Sequence, residues 1–117
     1  MSMHKATPVP NLLFDSMIPH FKEAELKVFL VIIRKTMGWY DARTGQRKVR
    51  DWIALSQFIR FTGLSNVSVW KAVDSLAQRQ YILVTGENGN ALNGAAERQG
   101  KKKLFYQMHP QLLKIIR

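Results

Sequence analysis

The chain contains no cysteine. A disulfide framework, a thiolate metal site and a catalytic thiol are therefore excluded, and a reducing compartment such as the cytoplasm is the expected home. Acidic residues are scarce: 8 Asp and Glu stand against 18 Lys and Arg, leaving a formal net charge of +10. Long apolar runs are missing as well. The longest, Val28 to Ile33, falls far short of the ~20 residues that a membrane span needs, and the polar stretch Met1 to Pro10 has no signal-peptide character. Catalytic motifs are equally absent. Gly100-Lys101 lacks the Ser or Thr that follows the lysine of a phosphate-binding loop, and Ala95 stands where that loop needs a glycine. His4, His20 and His109 show no i, i+4 pairing, and no serine sits in a G-x-S-x-G turn. The expectation is a protein that is not an enzyme and has no catalytic residue, cofactor or metal.

A length of 117 residues allows one domain, and an apolar content of 46% gives it a core to bury. The positive balance attracts polyanions, nucleic acid first and anionic membrane second. A membrane-surface helix would combine a basic and an apolar face on one segment. Here the cations fall mostly in loops, at Arg43, Arg47, Lys48 and Arg50 and again at Arg98, Lys101, Lys102 and Lys103. That placement points to nucleic acid.

Two prolines in Thr7-Pro8-Val9-Pro10 hold the chain extended before Asn11, which is suited to cap a short helix through about Met17. From about Lys22 to Met37, Leu26, Phe29, Leu30, Ile33 and Met37 form one helical stripe, and Gly38 stops it. Val28, Val31 and Ile32 make a second apolar face, which either packs within the chain or, with Leu112, Leu113, Ile115 and Ile116, supplies a dimer interface. A basic loop spans Trp39 to Arg50, an extended piece covers Arg50 to Ala54, and a second helix runs from Ser56, as cap, to about Phe61. Thr62-Gly63-Leu64-Ser65 is a tight turn into a third helix from about Asn66 to Arg79. Beyond Gln80 the period becomes two, and Tyr81 to Thr85 can pair with Lys103 to Met108 across a long polar loop. A last short helix follows Pro110. Helix, glycine turn, helix and hairpin together predict a mainly α chain with a small β-hairpin, the winged helix-turn-helix. Residues 1–18 form an arm with a short helix and 19–117 the winged-helix domain, with 87–103 as a wing-tip loop whose Gly and Asn content implies mobility.

In the third helix Val69, Ala72, Val73 and Leu76 define the buried side. Asn66, Val67, Ser68, Trp70 and Lys71 then face outward, where a recognition helix meets the major groove; Asn pairs bidentately with adenine and an apolar side chain meets a thymine methyl. Asp74 shares that side and would repel phosphate, so only the first two turns enter the groove. The bland alternative is a face turned to solvent or to a partner protein. Arg98, Lys101, Lys102 and Lys103 on the wing, with Arg47, Lys48 and Arg50 in the earlier loop, are the candidates for phosphate contacts, which position a protein without reading sequence. Trp39, Tyr40 and Trp52 bracket the basic loop, and such interleaving can bind single strands by stacking. Trp39 follows a core helix and Trp52 lies in a strand, so both read more readily as core or core edge.

Across roughly Thr7 to Leu83 the chain resembles the N-terminal DNA-binding domain of the phage replication protein O group, the lambda-type replication initiators. The residues that carry this are Thr7-Pro8-Val9-Pro10-Asn11, Glu25-Leu26-Lys27-Val28, Ile32-Ile33-Arg34-Lys35-Thr36-Met37-Gly38-Trp39, and Leu55-Ser56-Gln57 with Thr62-Gly63-Leu64-Ser65. The resemblance implies a winged helix that binds repeated sites at a replication origin, commonly as a homodimer, while a separate C-terminal region recruits the replicative helicase. Asn66, Val67, Ser68 and Lys71 fall where the family's recognition helix faces DNA. Family members usually carry basic residues early in that helix, and this chain has Asn66 and Val67. The chain ends at Arg117 without room for a helicase-recruiting region, which suits a fragment or a stand-alone binder. The expected function is sequence-specific binding of double-stranded DNA in replication initiation of a phage or mobile element; transcriptional regulation and a protein-interaction module are the alternatives.

Overall fold

The computed structural model describes residues 2–3, 6–101 and 103–116. Its organising element is helix α1, Glu23–Thr36. The start of α1 is fixed by the Lys22 backbone N–H, which donates to Glu25 Oε1 at 2.7 Å, and Glu23 and Glu25 complement the positive helix end. It ends where the N–H groups of Met37 and Gly38 both turn back to the Ile33 carbonyl. Gly38 is needed at that point, because a Cβ there would sit 2.3 Å from the Arg34 carbonyl oxygen. The second apolar face of α1 is consumed inside the chain, with Val28, Val31 and Ile32 buried, and Phe29 and Ile33 of the first are buried as well; Leu30, expected in the core stripe, is 38% exposed, and Leu26 and Met37 are half-buried. The second face, weighed in sequence as dimer material, is thus core.

Ahead of α1, a π-helical turn, Leu13–Met17, and a 3-10 turn, Ile18–His20, bring Leu13 and Met17 into that core. Asn11 is itself helical and no side chain caps this segment, unlike the cap expected of Asn11. Helix α2 is Leu55–Thr62 and α3 is Asn66–Gln78. The N-cap of α2 is Ala54 and not Ser56; Gln57 reaches back to accept from the Ala54 N–H at 2.9 Å. A glutamine side chain three residues inside the helix outcompetes a serine already within the first turn. Gly63 ends α2 at φ 73°, a left-handed cap that glycine adopts without a Cβ penalty. Two residues later Ser65 caps α3 by accepting from the Ser68 N–H.

Among the described residues there are six short strands: β1 Ser2–Met3, β2 Trp39–Asp41, β3 Gln46–Arg47, β4 Asp51–Trp52, β5 Ile82–Thr85 and β6 Phe105–Met108. They form two antiparallel sheets, ordered β1-β2-β3 and β4-β6-β5. In the first sheet β2 and β3 lie where sequence predicted only a basic loop and β1 lies in the expected N-terminal arm, since two- and three-residue strands leave no readable alternation. In the second, Ile82 pairs with Met108 and Thr85 with Phe105, the hairpin expected of the two C-terminal apolar runs. Helix α4, Ala95–Arg98, interrupts the hairpin's long connection, and α5, Pro110–Ile116, closes the chain. The molecule is mainly α with two small antiparallel sheets, and no helix among the described residues is long and apolar enough to cross a membrane.

One polar cluster lies inside the α1–α3 contact. Glu25, only 3% exposed, accepts from the Ser75 hydroxyl and from Arg79, whose Nη1 lies 3.0 Å from Oε2. Burial pushes the carboxyl upward. The hydrogen bonds from the Lys22 N–H, Ser75 and Arg79, with the Arg79 charge, outweigh this and hold Glu25 below its ordinary value of 4.5. A depressed carboxyl stabilises the fold above its unfolded pKa, and that contribution is lost as pH falls through the folded pKa. Glu25→Gln is expected to cost about 2 kcal/mol at neutral pH, below the usual figure for a broken buried pair because Arg79 is partly solvated. Urea unfolding of both proteins at pH 7 and pH 3 checks this. The gap between them should narrow in acid, and an unchanged gap would remove the ionic account of the cluster.

Candidate nucleic-acid interface

Packing against α1 fixes the rotation of α3. Val69, Ala72, Val73 and Leu76 are buried, so Asn66, Val67, Trp70 and Lys71 lie on the exposed side. Val67 is 57% exposed and Trp70 38%. The Asn66 side chain folds locally, accepting from the Val67 N–H at 2.8 Å. Ser68 departs from the expected outward group: it is half-buried, and its N–H and hydroxyl engage the Ser65 hydroxyl in the helix cap. A residue three positions after a serine cap is drawn toward it whatever its place on the wheel.

The wing cations divide. Arg98 is turned inward and is 5% exposed; it donates to Asp74 Oδ1 at 2.7 Å and to the Leu92 carbonyl at 2.9 Å. A guanidinium held in this way is withdrawn from phosphate, which corrects its placement among the surface contacts. Lys101 and Lys103 are exposed, while Lys102 lies outside the described residues. Lys103 Nζ sits 4.9 Å from the centre of the Trp52 ring, a cation–π arrangement.

The earlier basic group is similarly sorted. Arg50 donates to Thr85 Oγ1 at 2.9 Å and to the Gly86 carbonyl at 2.6 Å, and its guanidinium lies 3.9 Å from the centre of the Phe105 ring. It fastens the sheet. Arg47 donates to the Met37 carbonyl at 2.8 Å, and Lys48 pairs with Asp51 at 2.8 Å. These three are engaged with the chain itself before any ligand arrives. Arg43 stays exposed in the turn between β2 and β3.

The 86–104 segment is fastened, in contrast to the loose tip that its Gly and Asn content implies. Leu92 donates its N–H to the Val84 carbonyl at 2.8 Å, Ala91 bridges to Thr85, and Arg98 ties the segment to α3. Folding back in this way creates two adjoining cavities. One, of about 480 Å³, is lined by Trp70, Ala95, Ala96, Gly100, Lys101 and Leu104 among others. The other, of about 170 Å³, lies between Trp52 and Trp70 over Tyr106. Trp70, Lys101 and Leu104 belong to both. Burial pushes the Tyr106 phenol well above its ordinary range despite the opposing charge of Arg98, so it stays neutral.

Trp52, weighed in sequence for stacking on a single strand but read more readily as core or core edge, is left at the surface. It is 43% exposed while its neighbour Ile53 is buried; that period-two contrast was the available signal. The pairing of acids matters equally. Asp74 is matched by Arg98 and Asp51 by Lys48, so the expected repulsion of phosphate by Asp74 is offset. Lys71 and Lys101 have no ion-pair partner among the described residues. The resulting surface is cationic and partly aromatic.

The ion pair that holds the loop is asymmetric, with the Arg98 side chain 4% exposed and that of Asp74 35% exposed. Asp74→Ala strands a buried cation and is expected to cost about 3 kcal/mol, whereas Arg98→Met leaves a solvated carboxylate and costs about 1 kcal/mol. Thermal or urea unfolding of the two variants measures the difference; equal costs would mean that the pair does not hold the segment.

No protein-family model, no curated protein and no solved structure matches this chain.

Proposed function

We propose that the chain is a winged-helix domain that binds double-stranded DNA, with the N-terminal turns of α3 in the major groove and Lys101 and Lys103 on backbone phosphates. The observation that carries this reading is the exposed side of α3 that presents Asn66, Val67 and Lys71, next to Trp70, which shares a cavity with Lys101 of the hairpin's return, with Asp74 already paired by Arg98. The strand order β4-β6-β5 and the three-residue turn between α2 and α3 agree with a winged helix-turn-helix. Direct reading of bases falls to Asn66 and Val67, and Lys71 adds charge at the groove edge. Ser68 acts by setting the helix cap.

The biological role follows from the resemblance to the replication protein O group: binding of repeated origin sites of a phage or mobile element, as a homodimer, with the replicative helicase recruited elsewhere. Ile115, 68% exposed on α5, offers apolar surface for a dimer. The same face supports a second reading, as a protein-docking module, because Val67 and Trp70 are large apolar groups left at the surface. In that case the positive charge only steers approach. Regulation of transcription would use the same groove contacts on a promoter, and selection of bound sequences from a random pool distinguishes promoter from origin repeats.

Titration of random duplex DNA against salt tests the proposal. The logarithm of the binding constant should fall with a slope of about −0.9 per phosphate contact. Lys71→Ala and Lys101→Ala should each weaken binding and each reduce that slope by about 1. Unchanged affinity in both variants would sink the groove-and-wing arrangement, and no duplex binding at low salt would favour the docking module.

A further inference from the structure

We propose that the cleft between Trp52 and Trp70 receives an unpaired nucleobase, so that the domain holds single-stranded or locally opened DNA beside the duplex. The proposal rests on the DNA-binding reading and adds a second mode of contact to it. The two indoles border the same cavity, which continues along Trp70 into the larger pocket over Ala95, Ala96 and Leu104. Both rings remain substantially exposed, although each belongs to a residue type that folding usually covers. The occupant must therefore satisfy flat apolar walls. It must also satisfy charge, since Lys101 lines both cavities and Lys103 stands at the Trp52 ring.

A nucleotide meets both demands, with a base whose π face stacks on indole and a phosphate that pairs with an ammonium group. An apolar side chain would fill the walls and leave the lysines unmatched; an acidic one would match the lysines and leave the walls wet. The floor suits a base as well, because the neutral Tyr106 phenol brings no charge against it. A base inside a duplex is stacked on both sides, so only an unpaired one can enter. Trp70 thus belongs with the cleft, whereas Asn66, Val67 and Lys71 belong with the groove.

The probe is an oligothymidylate of about a dozen residues, within the usual span of single-strand sites, titrated alongside a fully paired duplex. Indole emission and the anisotropy of a labelled strand are read together. The oligothymidylate should quench the indole emission. Trp70→Ala should weaken its binding about tenfold or more, Trp52→Ala should weaken it less, and Trp70→Phe, which keeps a stacking face, should stay within about threefold of the parent. Circular dichroism establishes that each variant is folded; should Trp70→Ala unfold, Trp52→Ala and the quenching carry the test. Oligothymidylate binding without quenching, or equal binding by all variants, overturns the cleft. Losses of equal size on duplex and single strand in Trp70→Ala also overturn it, because they describe a general loss of the face. Duplex binding with no oligothymidylate binding leaves the groove reading standing and removes this one. Quenching by oligothymidylate with no duplex binding does the reverse, and binding of neither removes both.

Discussion

The ion pair between Arg98 and Asp74 is the constraint on which the candidate site depends. It joins the middle of a nineteen-residue connection, 86–104, to the exposed edge of α3, over a span of 24 positions in sequence. Three consequences follow from one contact. The connection is folded back and encloses a cleft; the single carboxylate near the outward face of α3 is neutralised; and Trp70 acquires a wall opposite it. A buried guanidinium is an expensive way to fasten a loop, since its desolvation must be offset by good geometry on every side. Here Asp74 and the Leu92 carbonyl supply that geometry. An apolar anchor at position 98 would hold the loop as firmly but would leave the Asp74 charge facing the ligand.

Long-period features were legible in the sequence, and short-period or long-range ones were not. The stripe of α3 repeats over three turns, so its bounds and buried residues could be read from spacing, as could the pairing of Ile82–Thr85 with Phe105–Met108; for α1 spacing gave the extent of the helix, but of its expected core stripe only Phe29 and Ile33 are buried and Leu30 is exposed. The β1-β2-β3 sheet could not, because two or three residues make no pattern. Arg50 and Arg98 were placed among phosphate contacts from charge alone. Their partners, Thr85 and Gly86 for one and Asp74 for the other, are 35, 36 and 24 positions distant, and no local rule joins residues so far apart. Ser68 failed for a local reason: the hydroxyl of Ser65 claimed it.

The proposed resemblance to the replication protein O group would bear on the fold more than on the ligand. Its most specific string, Ile32 to Trp39, builds the end of α1. Ile32 and Ile33 are core, Thr36 donates its hydroxyl to the Ile32 carbonyl at 2.7 Å, and Gly38 occupies a place with no room for a Cβ. None of these residues lies on the exposed face of α3. A string with such roles specifies how a helix ends, and any chain that needs the same ending against the same core would use similar residues. The case for DNA rests instead on residues outside that string: Asn66, Val67 and Lys71 on the helix and Lys101 and Lys103 on the return.

Charge gives a further reason to test that face. Ion pairing leaves the net balance of +10 untouched, because each pair removes one charge of either sign; what it changes is where the remaining charge can be felt. Arg98 cancels Asp74 on α3, Lys48 cancels Asp51 on β4, and Arg79 cancels Glu25 in the interior. Lys71 and Lys101, with no ion-pair partner among the described residues, carry part of the excess at the surface, and Lys101 does so beside two exposed indoles. Long-range attraction needs only the net charge, but holding a strand in one place needs cations next to something that a base can lie against. On this surface the two requirements coincide at Lys101 and Trp70, which together line the same cavity.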